Sequence, residues 1–323
     1  MPIIQALAVT QKVVFCYIIA EKVRVLIKCS QLFGILFLSS HHPCRKGGAN
    51  LNAHGHKIHI YYLSAAVLTV VATVVRTLCL GRAFDAGIGY FKSDAALPVL
   101  LHVFEAVTLL CFFSLFFFIP RDTLPLPKKQ PVSLSRRLVS AAVALLFALN
   151  FVAFCRVNTG RGLPVIIFVI GILSLLGAVA FFLLPLFGVA RRDLVVTFGA
   201  CAIAAVVCLS ALTYFDSYTP MNAPHKTGLH LSFVPMLFYL LYTLRDATDI
   251  PMPRAKAVSA MAAFFAAFTV GVSDLLGYPM GAFSDPTYLA QDLLLIGLAV
   301  WIGVGTAAEA AALTAPAEKE AKK

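Results

Sequence analysis

Eight long apolar segments dominate this sequence and limit what the chain can fold into. A helix needs roughly 20 predominantly apolar residues to cross a bilayer. Of all residues, 60% are apolar and only 13% are charged. The pattern predicts an all-α fold, a polytopic integral membrane helix bundle of about eight transmembrane helices in a lipid bilayer. The segments cover residues 58–80, 97–119, 137–156, 163–187, 194–215, 229–244, 255–277 and 287–311.

The same composition excludes several classes of protein. Soluble globular domains are about 45–50% apolar and about 25% charged. A mean hydropathy of +0.88 therefore excludes a soluble enzyme, a disordered protein and a nucleic-acid-binding module. The net charge of +11 is attributed to loops that orient the helices, and no nucleic-acid partner is predicted.

Lysine and arginine are concentrated in alternate loops, which predicts the orientation of the helices. The loops after the second, fourth and sixth spans are basic, whereas the opposite loops are mixed or acidic. Short basic loops stay in the cytoplasm. With an even number of spans, both termini are then cytoplasmic, in a multi-pass protein of the cell membrane. The basic residues of these loops are Arg121, Lys128, Lys129, Arg136, Arg137, Arg191, Arg192, Arg245, Arg254 and Lys256.

The chain divides into three predicted regions. The transmembrane helical domain covers residues 58–312, and a charged cytoplasmic tail follows at 313–323. Residues 1–57 contain apolar runs too short to span a bilayer and are predicted as a cytoplasmic lead-in. The alternative is a mis-assigned start, with translation beginning near Leu51, because Lys46-Gly47-Gly48 can be encoded by a purine-rich ribosome site.

Similar sequences recur at corresponding ends of the spans. The first span ends in Phe84-Asp85 and the fifth in Phe215-Asp216. The second span begins Leu97-Pro98 and the fourth Leu163-Pro164. This recurrence predicts repeated two-helix hairpins, as many transporters contain. The alternative is that apolar helices with an N-terminal proline resemble each other by chance.

Polar residues inside the spans are the best candidates for a functional site, because ionisable groups in a membrane are costly and usually face the bundle interior. Glu105 lies about 12 Å from the predicted outer end of its helix, at 1.5 Å per residue. It lies three positions after His102, so the two share a helix face. We predict a polar chamber open to the outside. Its candidate residues are Glu105, His102, Asp292, Asn150, Arg76 and Arg156.

A structural interpretation of the same residues competes with this one. Arg76 or Arg156 could neutralise Glu105, Asp85 or Asp292 and so hold helices in register, since a buried charge is tolerated when it is paired. Residues near span ends, such as Asp274, are expected to be wet.

No motif in the sequence specifies a reaction. His102-x-x-Glu105 resembles half of a carboxylate-bridged metal site, but the matching half on another helix is missing. His225 and His230 are predicted in a solvated outer loop rather than in a metal site. The cysteines follow neither a redox nor a zinc spacing. The sequence therefore predicts no catalytic residues, no metal and no cofactor.

The segment Arg76–Glu105 passes from Arg-Thr-Leu at a helix end through Phe-Asp and Gly-Tyr-Phe into a second helix. In this it resembles uncharacterised multi-pass membrane proteins of clostridial-type Gram-positive gut bacteria. The resemblance covers the first two spans. It implies a bacterial inner membrane, and it implies no known activity and no catalytic residues.

Three functions fit the sequence. The first is a small-solute or ion transporter or permease with Glu105, His102 and Asp292 in its pathway. The second is a non-transporting membrane sensor or scaffold, and the third is a membrane-embedded enzyme acting on a lipid-linked substrate. A transporter predicts a polar cavity reaching Glu105, a sensor predicts a dry bundle, and an enzyme predicts an acid/base pair beside a lateral opening to lipid.

Overall fold

The computed structural model describes residues 50–92, 95–119, 133–161, 164–189, 191–216, 219 and 223–314. Within these residues, eight helices are long and apolar enough to cross a membrane. This confirms the predicted all-α polytopic bundle. The helices are α1 Asn50–Ala83, α2 Ala96–Phe118, α3 Leu134–Arg161, α4 Val165–Leu183, α5 Arg192–Phe215, α6 Pro224–Ala247, α7 Pro253–Gly277 and α8 Pro286–Thr314.

Prolines begin three of these helices, at positions where the missing N–H removes no hydrogen bond. Pro224, Pro253 and Pro286 are the first residues of α6, α7 and α8. Helix α6 therefore starts at Pro224, whereas the apolar pattern alone predicts a start at residue 229. Its first turn is polar in sequence, yet His225 is only 3% exposed.

A short hairpin joins α1 to α2. Strand β1, Phe84–Asp85, pairs antiparallel with β2, Tyr90–Phe91. The Asp85 carboxylate accepts a hydrogen bond from the backbone N–H of Gly87 at 2.9 Å. Gly89 has a φ of 74°, a conformation that glycine adopts without steric cost.

Helices α3 to α8 form a closed ring. Each packs against the next, and α8 returns to pack against α3. Aromatic side chains fill the interior: the rings of Phe147 and Phe182 stack at 5.3 Å, and Phe182 meets Trp301 edge-on at 5.1 Å. The indole N–H of Trp301 donates to the Ser140 hydroxyl at 3.0 Å. The centre of the ring is therefore packed and apolar at this level.

Helices α1 and α2 lie against one side of the ring, on α7. A separate apolar cluster joins Ala72 of α1, Phe112 of α2 and Phe265 of α7. Along its most apolar stretch, α7 is 83% buried, compared with 22% for α2. Helix α7 is thus the central helix, shared by the ring and by the α1–α2 pair.

The outward faces of the bundle are apolar, as a lipid environment requires. Soluble monomers rarely expose contiguous apolar patches of more than a few hundred Å². Here, large apolar side chains are exposed on helix after helix, which fits a multi-pass protein in a bilayer. Residues more than half exposed include Leu63, Val67, Leu110, Phe117, Leu145 and Ile166.

The two ends of the bundle are named here after residues of α7. The Asp274 end contains the end of α1, the start of α2, the start of α6 and the start of α8, and the Lys256 end is opposite. At the Lys256 end, the Lys256 ammonium contacts Asp246 of α6 at 2.7 Å and Glu309 of α8 at 2.6 Å. These ion pairs join α6, α7 and α8.

Several sequence-based expectations remain predictions. The lead-in and the tail lie largely outside the described residues, which run from 50 to 314 with the gaps given above. The hairpin repeat, the orientation across the membrane and the resemblance of the first two spans likewise remain predictions.

Candidate functional site

The Asp274 end holds a cluster of buried ionisable side chains from five helices. Arg76 comes from α1, Glu105 from α2, His225 from α6, Asp274 from α7 and Asp292 from α8. Each of the five is 6% exposed or less. We call these five residues the acidic cluster.

Arg76 and Asp274 form the centre of the acidic cluster. The Arg76 Nε donates to Asp274 Oδ1 at 3.1 Å, and Nη2 donates to Oδ2 at 3.3 Å. Nη2 also donates to the carbonyl oxygen of Pro224 at 3.2 Å. The guanidinium thereby ties α1 to the start of α6 and the end of α7. Asp274 is completely buried, so the expectation of a wet position near the span end is wrong.

Two glycines make room for this arrangement. A Cβ atom at Gly228 would lie 2.7 Å from Arg76 Nη2 and 3.1 Å from Val270. A Cβ atom at Gly271 would lie 2.9 Å from the carbonyl oxygen of Asp292. Because contacts under 3.0 Å force atoms to shift, an added Cβ would press on backbone at Gly271, and at Gly228 it would displace the guanidinium group that donates to Asp274 and to Pro224. Gly271 brings α7 and α8 close together beside the two aspartates.

Glu105 is a peripheral member of the acidic cluster. Its Oε1 lies 3.6 Å from Arg76 Nη1, which is an ion-pair distance without a hydrogen bond to that oxygen. Its Oε2 lies 3.4 Å from Nδ1 of His102. The sequence-predicted pairing of Arg76 with Glu105 is present, but Asp274 is the stronger partner of the guanidinium.

A groove on the outside of the bundle reaches Glu105. It lies between α2 and α6 and has a volume of about 290 Å³. The wall includes the partly exposed His102, the exposed Thr227 and the exposed Leu231, together with the buried Pro224. The groove therefore connects the bundle surface to one carboxylate of the acidic cluster.

His225 is oriented by Asp274. Its Nδ1 lies 2.6 Å from Asp274 Oδ2. Because an ionised carboxylate only accepts hydrogen bonds, Nδ1 carries the proton and donates. Its Nε2 is buried and has no hydrogen-bond partner in the part of the chain that the structure describes. The rings of Phe283 and Tyr288 lie 4.5 and 4.6 Å from the imidazole, centroid to centroid.

Asp292 is the least satisfied residue of the acidic cluster. It is completely buried, and among the described residues neither carboxylate oxygen has a hydrogen-bond partner. His225, Asp274 and Asp292 each offer a ligand atom, and these atoms lie within 4.8 Å of one another. Buried polar groups in proteins almost always have partners, so Asp292 requires a specific explanation.

A second network of hydrogen bonds connects the starts of α6 and α8 to Asp216 and Thr219, which lie between α5 and α6. The Lys226 ammonium donates to the carbonyl oxygens of Asp216 at 2.6 Å and Thr219 at 3.3 Å. The Tyr288 hydroxyl donates to the Asp216 carboxylate, and its oxygen lies 3.3 Å from the Thr219 hydroxyl oxygen. Lys226 and Asp216 carry opposite charges, so together they leave the net charge of this end unchanged.

Tyr278 lies just beyond the end of α7. Burial, together with the nearby Asp292, Asp274 and Asp285 carboxylates, raises the pKa of its hydroxyl above the usual range. The hydroxyl therefore stays protonated, and it donates to the carbonyl oxygen of Asp285 at 3.0 Å.

Two further sequence candidates lie outside the acidic cluster. Asn150 is buried on α3 and donates from Nδ2 to the carbonyl oxygen of Ala290 at 2.7 Å, which fastens α3 to the first turns of α8. Arg156 lies on an exposed part of α3. Asn150 thus holds helices together, and Arg156 is at the surface of the bundle.

Two residues of the acidic cluster, His225 and Asp274, are missing from the sequence-predicted set. The predicted solvated loop is wrong for His225 and also for His230, which lies inside α6 with its Nδ1 2.9 Å from the Ser210 hydroxyl. In the sequence, Pro224 indicates the true start of α6, because proline favours the first position of a helix. A helix that begins at Pro224 includes His225. No comparable signal marks the partner of Asp274, which is 198 positions away in the chain.

Comparison with known proteins adds no assignment to this geometry. No protein-family model, no curated protein and no solved structure matches the chain.

Proposed function

We propose that the protein is a membrane transporter for an ion, and that the acidic cluster is its cation-binding site. One observation carries the proposal: Asp292 is completely buried in an apolar bundle, and neither of its carboxylate oxygens has a partner among the described residues. Ionisable residues in transmembrane helices are rare, and they mark substrate and ion pathways.

The charge of the acidic cluster supports this proposal over a purely structural role. A structural ion pair is already complete in Arg76 and Asp274, which share two hydrogen bonds. When ionised, Asp292 and Glu105 carry negative charge that this pair does not balance. Burying such charge costs stability, and a fold that only needed helix registration would gain by replacing Asp292 with an apolar residue. A bound cation supplies the missing positive charge.

The position of the acidic cluster supports a route along the seam where α1 and α2 meet the ring. Arg76 and Glu105 belong to the α1–α2 pair, whereas His225, Asp274 and Asp292 belong to the ring. The groove between α2 and α6 reaches Glu105 from the bundle surface. In many transporters, one group of helices moves as a rigid body against another around a fixed site. Movement of the α1–α2 pair on α7 would open and close this seam.

A non-transporting sensor is the second candidate, and the packed interior of the ring favours it. Phe182 and Trp301 are 1% and 5% exposed, so the ring encloses aromatic side chains rather than a polar channel at their level. In a sensor, cation binding at the Asp274 end would change the packing of α1 and α2 without any flux. Both candidates bind a cation, and only the transporter moves it.

Flux measurements in proteoliposomes test the proposal. Protein is reconstituted into liposomes that contain ion-responsive dyes, and inward gradients of H⁺, Na⁺, K⁺, Mn²⁺ and Zn²⁺ are imposed in turn. We expect at least one cation to enter faster than into protein-free liposomes. Asp292→Asn should abolish this entry. Asp249→Asn is the matched control, because Asp249 is an exposed carboxylate paired with Arg192 at 3.2 Å.

Two outcomes contradict transport. One is the absence of flux for every cation from protein that is monodisperse and folded after reconstitution. The other is flux that is equal in the wild-type protein and in Asp292→Asn. Cation binding without flux would favour the sensor.

A further inference from the structure

The three ring residues of the acidic cluster have the donor chemistry of a metal site. His225, Asp274 and Asp292 are all buried, and one ligand atom from each, for His225 one of its two ring nitrogens, lies within 4.8 Å of the other two. Sites that combine imidazole with carboxylate suit Zn²⁺, Fe²⁺, Mn²⁺ or Co²⁺, whereas Na⁺, K⁺ and Ca²⁺ prefer oxygen ligands alone. The chemistry points to a divalent transition metal.

The hydrogen bonding around His225 matches a metal-binding histidine. Such a histidine almost always donates its second ring N–H to a carboxylate or carbonyl group, which fixes the ring and its tautomer. Here Nδ1 donates to Asp274 at 2.6 Å, and Arg76 holds Asp274 in turn. The other nitrogen, Nε2, is buried without a hydrogen-bond partner among the described residues, and in the neutral imidazole it has the lone pair that binds a metal.

The charge count also fits a divalent ion. When ionised, Glu105, Asp274 and Asp292 carry three negative charges, and Arg76 carries one positive charge. With His225 neutral, a divalent cation brings the acidic cluster to zero net charge. A monovalent cation would leave one negative charge buried, which is costly in a medium of low dielectric constant.

We propose that His225 and Asp292 bind a divalent transition-metal ion, with Asp274 as the carboxylate that orients the imidazole. This departs from the sequence-based prediction of no metal site. The inference rests on the proposed function in that it names the ion to be transported. Metal binding itself is measured separately from flux, so the two can fail independently.

The aromatic rings of Phe283 and Tyr288 form one wall of the proposed site. Both rings contact the His225 ring, at centroid distances of 4.5 and 4.6 Å. Excluding water strengthens electrostatic interactions within a site.

Cobalt binding to purified, tag-free protein in detergent tests the site. Co²⁺ bound by nitrogen and oxygen ligands absorbs visible light, and its titration gives stoichiometry and affinity. We expect one Co²⁺ that Zn²⁺ displaces and that excess Mg²⁺ or Ca²⁺ does not. The variants His225→Gln and Asp292→Asn should each fail to bind this one Co²⁺ ion. Asp274→Asn should weaken it by roughly 10–100-fold, as is typical for a group that orients a ligand.

Matched variants separate this site from the other histidines of the chain. His230→Gln is expected to bind Co²⁺ as the wild-type protein does, because His230 lies one turn further along α6 with its Nδ1 2.9 Å from Ser210. Any Co²⁺ that the Asp292→Asn variant still binds is attributed to the other histidines of the chain. The remaining histidines are His41, His42, His54, His56, His59 and His102.

A measurement on the wild-type protein alone covers the case in which a variant does not fold. A ligand that binds only the folded state raises the melting temperature. Zn²⁺ should raise it after chelator treatment, and Mg²⁺ should not. The inference is overturned if folded wild-type protein binds no Co²⁺ beyond the amount bound by Asp292→Asn, or if His225→Gln and Asp292→Asn bind it normally.

The flux assay then separates the two proposals. If Zn²⁺ binds at the site but no divalent metal enters proteoliposomes, the metal site stands and transport fails. If H⁺ or Na⁺ enters but no metal binds, transport stands and the metal site fails.

Discussion

The Arg76 guanidinium of α1 donates two hydrogen bonds to the Asp274 carboxylate of α7, at 3.1 and 3.3 Å, in a region where both side chains are 1% exposed or less. Since Arg76 belongs to the α1–α2 pair and Asp274 to the ring, this contact holds the two parts of the bundle together at one end. Asp292, on the neighbouring helix of the ring, has no comparable partner among the described residues. Asp274 therefore has the structural contact, and our proposal assigns cation binding to the nearby Asp292.

The Arg76 contacts predict a rank order of stability among variants. Removing one member of a buried ion pair typically costs about 3–5 kcal/mol, so Asp274→Asn should lower the melting temperature in detergent strongly. Glu105→Gln should lower it less, because Arg76 keeps both hydrogen bonds to Asp274 and loses only the 3.6 Å ion-pair contact. Arg192→Gln, which removes an exposed pair, should change it little. Equal losses for Glu105→Gln and Asp274→Asn would contradict this assignment.

Asp292→Asn should behave differently from Asp274→Asn. In metal-free buffer, replacing Asp292 with an amide of the same shape removes a buried ionisable group whose oxygens have no hydrogen-bond partner among the described residues, so the melting temperature should stay equal or rise. Residues retained for function commonly reduce stability in this way. Thermal melts of the two variants with a chelator present compare them directly. A large loss for Asp292→Asn would show that Asp292 has a structural partner.

Gly228 provides a test of the space around Arg76. In Gly228→Ala the new Cβ would lie 2.7 Å from Nη2 of Arg76, and overpacking of this kind costs about 1–3 kcal/mol. Gly81→Ala is the matched control on α1, because its Cβ would lie 3.7 Å from the Met280 sulfur, which is an ordinary contact. We expect a lower melting temperature for Gly228→Ala and an equal or higher one for Gly81→Ala. A loss in Gly81→Ala as large as that in Gly228→Ala would contradict this explanation.

The sequence predicts the helices well because each is specified locally, by a run of apolar residues and often by a proline at its start. Helices α1, α3 and α6 are each longer than their apolar runs. In α6 the added first turn contains His225 and Lys226, which tertiary contacts bury. The acidic cluster is only partly predictable. Arg76, Glu105 and Asp292 are recognisable as ionisable groups in apolar surroundings.

The partners of these groups are not recognisable from sequence. Asp274 lies in the last turn of α7 and faces Arg76 only because α1 packs on α7. Such a pairing depends on which helices are neighbours, and apolar periodicity contains no information about neighbours. The closed ring of α3 to α8 is unpredictable for the same reason.

The charge pattern of the loops predicts that the Asp274 end faces the outside. In a cysteine-free background, Ser284→Cys lies at the Asp274 end between α7 and α8, and Met252→Cys lies at the opposite end between α6 and α7. Both native residues are exposed, so access to the thiol depends on the membrane and not on burial. A membrane-impermeant maleimide added to whole cells should label Ser284→Cys but not Met252→Cys. Both should react after the cells are permeabilised, which controls for thiol reactivity. The reverse pattern in intact cells would place the acidic cluster, and the groove that reaches Glu105, on the cytoplasmic side.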